Sequence, residues 1–135
     1  MTAVVWLPFR SPPLRSNDRL HWRAKAVKVA EIRLAAKLCA WRDIPVALVG
    51  PVAVTFVWVV TDKRRRDAGA SSPTLKAALD GIVDAGKLLG DHSQVVVSET
   101  CRIALGMLPS CRVEILAIDV AGQHVSSAFP DMKAS

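Results

Sequence analysis

The segment from Val52 to Thr61, VAVTFVWVVT, constrains this chain more than any other. Its residues are almost all β-branched or aromatic, the types that fit a pleated, packed surface. The run lacks the apolar–polar alternation of a strand with one wet side. It therefore predicts a central strand buried on both faces, with neighbours on either edge and a covering layer above it. At 135 residues the chain is long enough to build one such core.

The elements around that strand follow from periodicity and punctuation. Val4 to Pro8 predicts a short first strand stopped by proline, and Arg10 to Trp22 reads as a turn-rich loop. From Arg23 to Arg42 the pattern is helical, with Val27, Ala30, Leu34, Leu38 and Trp41 recurring at three- and four-residue steps on one face. Arg23, Lys25, Lys28, Arg33 and Lys37 fall mostly off that stripe, giving a basic side that suits either solvent or DNA. Pro45 and Gly50-Pro51 end the helix. After the central strand, Ser72-Pro73 supplies a cap and a preorganised first helical residue. The helix that follows is expected to bury Leu75, Leu79, Ile82 and Val83, to carry Lys76, Asp80 and Asp84 on its other side, and to end near Gly86. Two strands close the pattern, Val95 to Ile103 and Cys111 to Ile118, joined by a GMLPS turn. The order β-α-β-α-β-β describes a small α/β (α+β) domain in which both helices cover one sheet. A single domain is expected over residues 1–120, with a loose polar tail over 121–135.

Charge narrows the function. Eighteen Lys and Arg against twelve Asp and Glu leave a formal +6 and a pI near 9.7. A polyanionic partner, most simply nucleic acid, matches this balance. Cys39, Cys101 and Cys111 stand in separate segments without a CxxC spacing, which argues against a zinc module or a disulfide framework and for a reducing cytosol. Cys39 is expected as a buried core thiol. No stretch approaches the roughly 20 apolar residues of a membrane span, and the N-terminal apolar run is too short for a signal peptide.

The chemistry concentrates between Lys63 and His92. Lys63, Arg64, Arg65 and Arg66 meet Asp67 at the end of the central strand, and Lys76 follows on the next helix. Cations beside a carboxylate at a strand-to-helix junction suit a protein that grips a phosphodiester backbone. Cutting it would require several carboxylates around divalent ions that hold the phosphate and activate water. Asp67 alone could equally be a salt-bridge partner for the arginines, and Lys76 with Asp80 an ordinary helix pair. His21 and Trp22 fit a packed loop anchor as well as a DNA contact. Trp6, Trp41 and Trp58 fit core positions.

Taken together, NDRLHW (Asn17 to Trp22), RRRD (Arg64 to Asp67), PTLKAALDGIVDAG (Pro73 to Gly86) and DHSQV (Asp91 to Val95) resemble the RusA family of Holliday-junction resolvases, particularly its phage-borne relatives. The resemblance spans roughly residues 5–118 with the elements in the family's order. It implies a cytoplasmic homodimer with a small mixed sheet, encoded by a phage or prophage, that binds branched DNA and cleaves it with Mg²⁺. It points to Asp67, Lys76, Asp91 and His92 as the catalytic positions, to Asp67 and Asp91 as metal ligands, and to Lys63, Arg64, Arg65, Arg66, Arg19, His21 and Arg23 as DNA contacts.

The departures matter as much. The family pattern expects Asp and Asn where this chain has Gly69 and Ala70, and a second acid where it has His92. Of three metal carboxylates, only Asp67 is in register. Imidazole at 92 would suit manganese or zinc better than magnesium. The expectation is a DNA-binding protein of recombination or repair with its nuclease activity lost or impaired. An active Mg²⁺- or Mn²⁺-dependent junction endonuclease is the alternative, and a phage factor aimed at a host protein is the third reading.

Overall fold

The computed structural model describes residues 2–90 and 94–118. In chain order they form β1 (Thr2–Leu7), α1 (Trp22–Asp43), β2 (Val52–Val60), a 3₁₀ turn η1 (Ala68–Ser71), α2 (Ser72–Asp84), β3 (Val96–Leu105) and β4 (Ser110–Ala117). The four strands make one mixed sheet in the order β1-β4-β2-β3. β2 runs antiparallel to β4 and parallel to β3, while β1 runs antiparallel to β4 along the other edge. The expected mixed α+β architecture is therefore present; Asp91, His92 and the expected tail over 121–135 lie outside the described residues.

β2 is the interior strand that its composition demands. Eight of its nine residues are buried, Thr55 being the exception. Val52, Val54, Phe56, Trp58 and Val60 enter the main core with Val5, Val113, Ile115 and the helices. Ala53, Val57 and Val59 are buried on the opposite face. The GMLPS turn does not make a hairpin: β3 and β4 flank β2 on either side, so the connection steps across the end of that strand. The Gly106 N–H donates to Val60 O at 2.8 Å, and a Cβ at 106 would sit 2.6 Å from Val59 Cγ1. Only glycine permits so close a crossing.

α2 buries Leu75, Leu79 and Ile82 as expected, and Val83 packs against the core edge. It begins at Ser72 with Pro73 in its first turn and finishes at Asp84. Gly86, at φ +75°, then takes the left-handed conformation that closes helices, its N–H bonding Val83 O.

α1 corrects the sequence reading. The stripe expected inside is outside: Val27, Leu34, Leu38 and Trp41 are 58%, 56%, 52% and 51% exposed. The buried residues are Ile32, Ala36, Cys39 and Ala40. At 3.6 residues per turn the two sets lie on nearly opposite sides of the helix. The cause is the partner helix. A Cβ on Gly81 of α2 would stand 2.2 Å from Arg33 O and 2.9 Å from Ala36 Cβ. Helices that close need small side chains between them, so alanines and a cysteine take the inner face and the larger residues turn outward. Arg33 locks the pair through a bidentate bond to Asp84, with Nη2 to Oδ1 at 2.8 Å.

Trp6 and Trp41 are likewise half-exposed rather than core residues, each at 51%. Trp41 Nε1 donates to Ala85 O at 3.1 Å. Trp6 sits where the end of α1 meets β1. Its N–H donates to Asp43 Oδ2 (2.8 Å), and its carbonyl accepts from Arg42 Nη2 (2.7 Å). Trp58 and Cys39 are buried as expected, each at 7% exposure.

Candidate nucleic-acid interface

The basic segment leaves the end of β2 and is shaped by an acid that motif reading passes over. Asp62, not Asp67, pairs with the arginines. Arg66 Nη1 lies 2.9 Å from Asp62 Oδ1, Arg64 Nη2 lies 3.5 Å from Oδ2, and the Arg64 N–H donates to Oδ1 at 3.0 Å. The hydrogen bond from Arg66, reinforced by the Arg64 backbone, holds the Asp62 carboxyl below the usual carboxylate range. Asp67 instead caps η1, accepting from the Gly69 N–H at 3.0 Å, and makes no ion pair among the described residues. The salt-bridge role weighed for Asp67 thus falls to Asp62, because Asp62 sits at the turn where the strand ends.

The N-terminal loop completes the surface. The buried Thr74 hydroxyl, in the first turn of α2, donates to Leu14 O at 2.6 Å while its oxygen accepts from the Leu14 N–H at 3.1 Å. The Ser16 N–H donates to Ala70 O at 3.0 Å. Pinned in this way, Arg15 lies with Cζ 4.9 Å from the centre of the Trp58 ring, and Arg66 reaches the same ring at 5.5 Å. Two guanidiniums over one buried indole are held by its electron-rich face, and that of Arg66 also donates to the Asp62 and Arg64 carbonyls.

The result is a cleft of about 410 Å³ whose lining includes Arg10, Arg15, Arg64, Arg65 and Arg66 with Trp58 and Pro109. Arg64 and Arg66 also border a second cleft of about 580 Å³ with Lys63, Asp62, Cys101 and Arg102. The RRR segment is therefore a ridge between two hollows, both cationic. Guanidinium groups in a shallow, part-desolvated site suit phosphate oxygens, which they bind in bidentate fashion.

Of the expected DNA contacts, Lys63, Arg64, Arg65 and Arg66 come together here. Arg19, His21 and Arg23 line neither cleft. His21 caps α1, its Nδ1 accepting from the Arg23 N–H at 3.2 Å, and its ring is tilted against Trp22 at 5.6 Å. Arg23 lies over the Trp22 ring. His21 and Trp22 are both exposed, Trp22 at 68%, so neither is the packed loop anchor of the other reading. Arg10 and Arg15 were missed, since only the long-range Leu14–Thr74 link brings them to the ridge. Trp58 was placed in the core correctly, but its edge role under two arginines was not legible.

Mg²⁺ requires several hard oxygen ligands in near-octahedral array. Asp67 and Lys76 line neither cleft, and Lys76 is exposed on α2. Among the described residues no group of three or more His, Cys, Asp or Glu side chains assembles into a metal site. Asp91 and His92 lie outside those residues, so the described part of the site does not by itself fit the ion. All three thiols are free, and burial pushes them up, Cys111 to about 12. No described helix is long and apolar enough to cross a membrane. No protein-family model matches the chain, and no curated protein matches it.

Proposed function

We propose that this chain is a RusA-like DNA-binding protein of the recombination and repair type, gripping branched DNA through its arginine ridge, with metal-dependent endonuclease activity lost or impaired. The observation that carries this reading is the convergence of Arg10, Arg15, Arg64, Arg65 and Arg66 on one cleft, where Asp62 pairs with Arg64 and Arg66. The motif resemblance supplies the branched substrate, the cytoplasmic setting and the phage or prophage origin. The replacement of two expected acids by Gly69 and His92 supports the loss of cleavage.

The test is binding followed by cleavage. Neutralising about six phosphates gives roughly a 10³-fold loss of affinity between low and moderate salt. Fluorescence anisotropy on a four-way junction and on linear duplex is expected to show that slope and a preference for the junction. Salt-independent binding would remove nucleic acid as the ligand. Incubation with Mg²⁺ or Mn²⁺ is expected to leave the junction uncut, and turnover matching an active resolvase would overturn the loss of activity. The repair variant is feasible at 69, since a Cβ there meets only Asp67 Oδ1, at an ordinary 3.5 Å. Gly69→Asp combined with His92→Asp is expected to regain Mg²⁺-dependent cutting.

A further inference from the structure

The turn between β3 and β4 carries apolar surface that the fold does not use. Met107 is 94% exposed, the highest value among the described large apolar residues, and Leu108 and Leu105 stand at 77% and 60%. Both feet of the turn are held. The Gly106 N–H bonds Val60 O at one foot, where the approach to Val59 Cγ1 leaves no room for a side chain at 106. At the other, Pro109 restricts Leu108 to extended backbone. Val60 borders both cationic clefts, while Leu105 belongs to the second and Pro109 to the first. The tip therefore stands between two arginine-lined hollows, at the end of the sheet from which the ridge departs.

We propose that Met107 and Leu108 form a wedge that enters the branch of a DNA junction and packs against bases opened there, while arginines of the flanking clefts hold the phosphates of the diverging strands. The proposal rests on the ridge reading and adds to it the device that tells branched DNA from duplex. Size chooses the occupant. A stable protein partner needs about 800 Å² per side, far more than two side chains at a turn supply. Leucine and methionine are, by contrast, among the apolar residues that DNA-kinking proteins insert between base steps. Charge agrees. Arg15 and Arg65 border the first hollow, Lys63 and Arg102 the second, and Arg64 with Arg66 both. In intact duplex a step must be unstacked before a wedge can enter, and that costs free energy. At a branch the strands exchange partners and the stack opens more readily, so the wedge favours the junction.

The test uses the full chain, a four-way junction carrying 2-aminopurine at the branch, and linear duplex of matching sequence. Binding is expected to raise the 2-aminopurine fluorescence, since unstacking relieves its quenching. Met107→Ser combined with Leu108→Ser is expected to abolish that rise and to weaken junction binding about 10-fold. Duplex affinity, salt slope and melting temperature stay unchanged, because both side chains lie outside the core. Met107→Leu combined with Leu108→Met keeps the apolar volume and is expected to retain both the fluorescence rise and the junction preference. A serine variant that still opens the branch, or that loses junction and duplex affinity equally, would overturn the wedge and leave the ridge standing. A serine variant with altered sedimentation would overturn it too, assigning the tip to a contact between proteins. Natural protein that binds neither DNA would remove the ridge reading, and the wedge with it.

Discussion

Two groups of arginines in this protein differ in the company they keep. On the sheet face away from the helices, Trp6, Arg112, Val57 and Arg102 form one row across the four strands. Arg112 and Arg102 converge on Glu114, which is 2% exposed, with Arg112 Nε to Oε2 at 2.8 Å and Arg102 Nη2 to Oε1 at 3.9 Å. At the end of β2, by contrast, five arginines border one cleft, and two of them, Arg64 and Arg66, pair with the half-exposed Asp62. The first group is closed around its own counter-charge and serves the fold. The second keeps positive charge unspent and open to water. Residue type does not separate them; the ratio of cations to acids does, together with the burial of the acid, Glu114 being 2% exposed and Asp62 47%.

That contrast can be broken in order of effect. Reversing the ridge with Arg64→Glu and Arg65→Glu is expected to weaken junction binding by about 10³-fold while leaving the melting temperature nearly unchanged, because exposed charges contribute little to stability. The sheet acid behaves in the opposite way. Glu114→Ala leaves two mostly buried guanidiniums without their carboxylate and is expected to cost about 3 kcal/mol in urea unfolding. If the folded fraction of that variant bound DNA with an altered salt slope, the sheet arginines would belong to the interface after all. Arg15→Ala removes one phosphate contact and one guanidinium from over Trp58, with an expected loss of about 10-fold in affinity and a salt slope lower by about one.

Asp62 gives the smallest effect. Its carboxyl is depressed by Arg66, so its contribution to stability is fully present above about pH 4 and is lost as pH falls through the lowered folded value. Asp62→Asn is expected to flatten the acid limb of a melting-temperature profile slightly and to strengthen DNA binding a few-fold. A steeper acid limb in the variant would assign the depressed carboxylate elsewhere.

The chain announces its scaffold clearly. VAVTFVWVVT marked the interior strand, and Gly50-Pro51, Ser72-Pro73 and Gly86 marked the breaks, because those signals act over a few residues. The inner face of α1 was hidden because apolarity alone does not tell a helix which way to turn. Leu34, Leu38 and Trp41 look more like core than Ala36 or Cys39, yet the close approach at Gly81 admits only the smaller set. The ridge itself was legible as RRRD. Its second wall was not, since Arg10 and Arg15 arrive through a contact between Leu14 and Thr74 that spans sixty positions. The exchange of roles between Asp62 and Asp67 depends on turn geometry, which composition does not encode.

The strand order carries a consequence for how the molecule is made. β1 is made before every other strand described, but its neighbour in the sheet is β4, the last of them. Until that late segment arrives, Val5 and Leu7 have no ladder to join, and the flank of β2 that β4 will occupy stays bare. Synthesis thus leaves an adhesive gap in mid-sheet that is sealed in one stroke once β4 arrives, and a chain stalled or cut before β4 would be sticky.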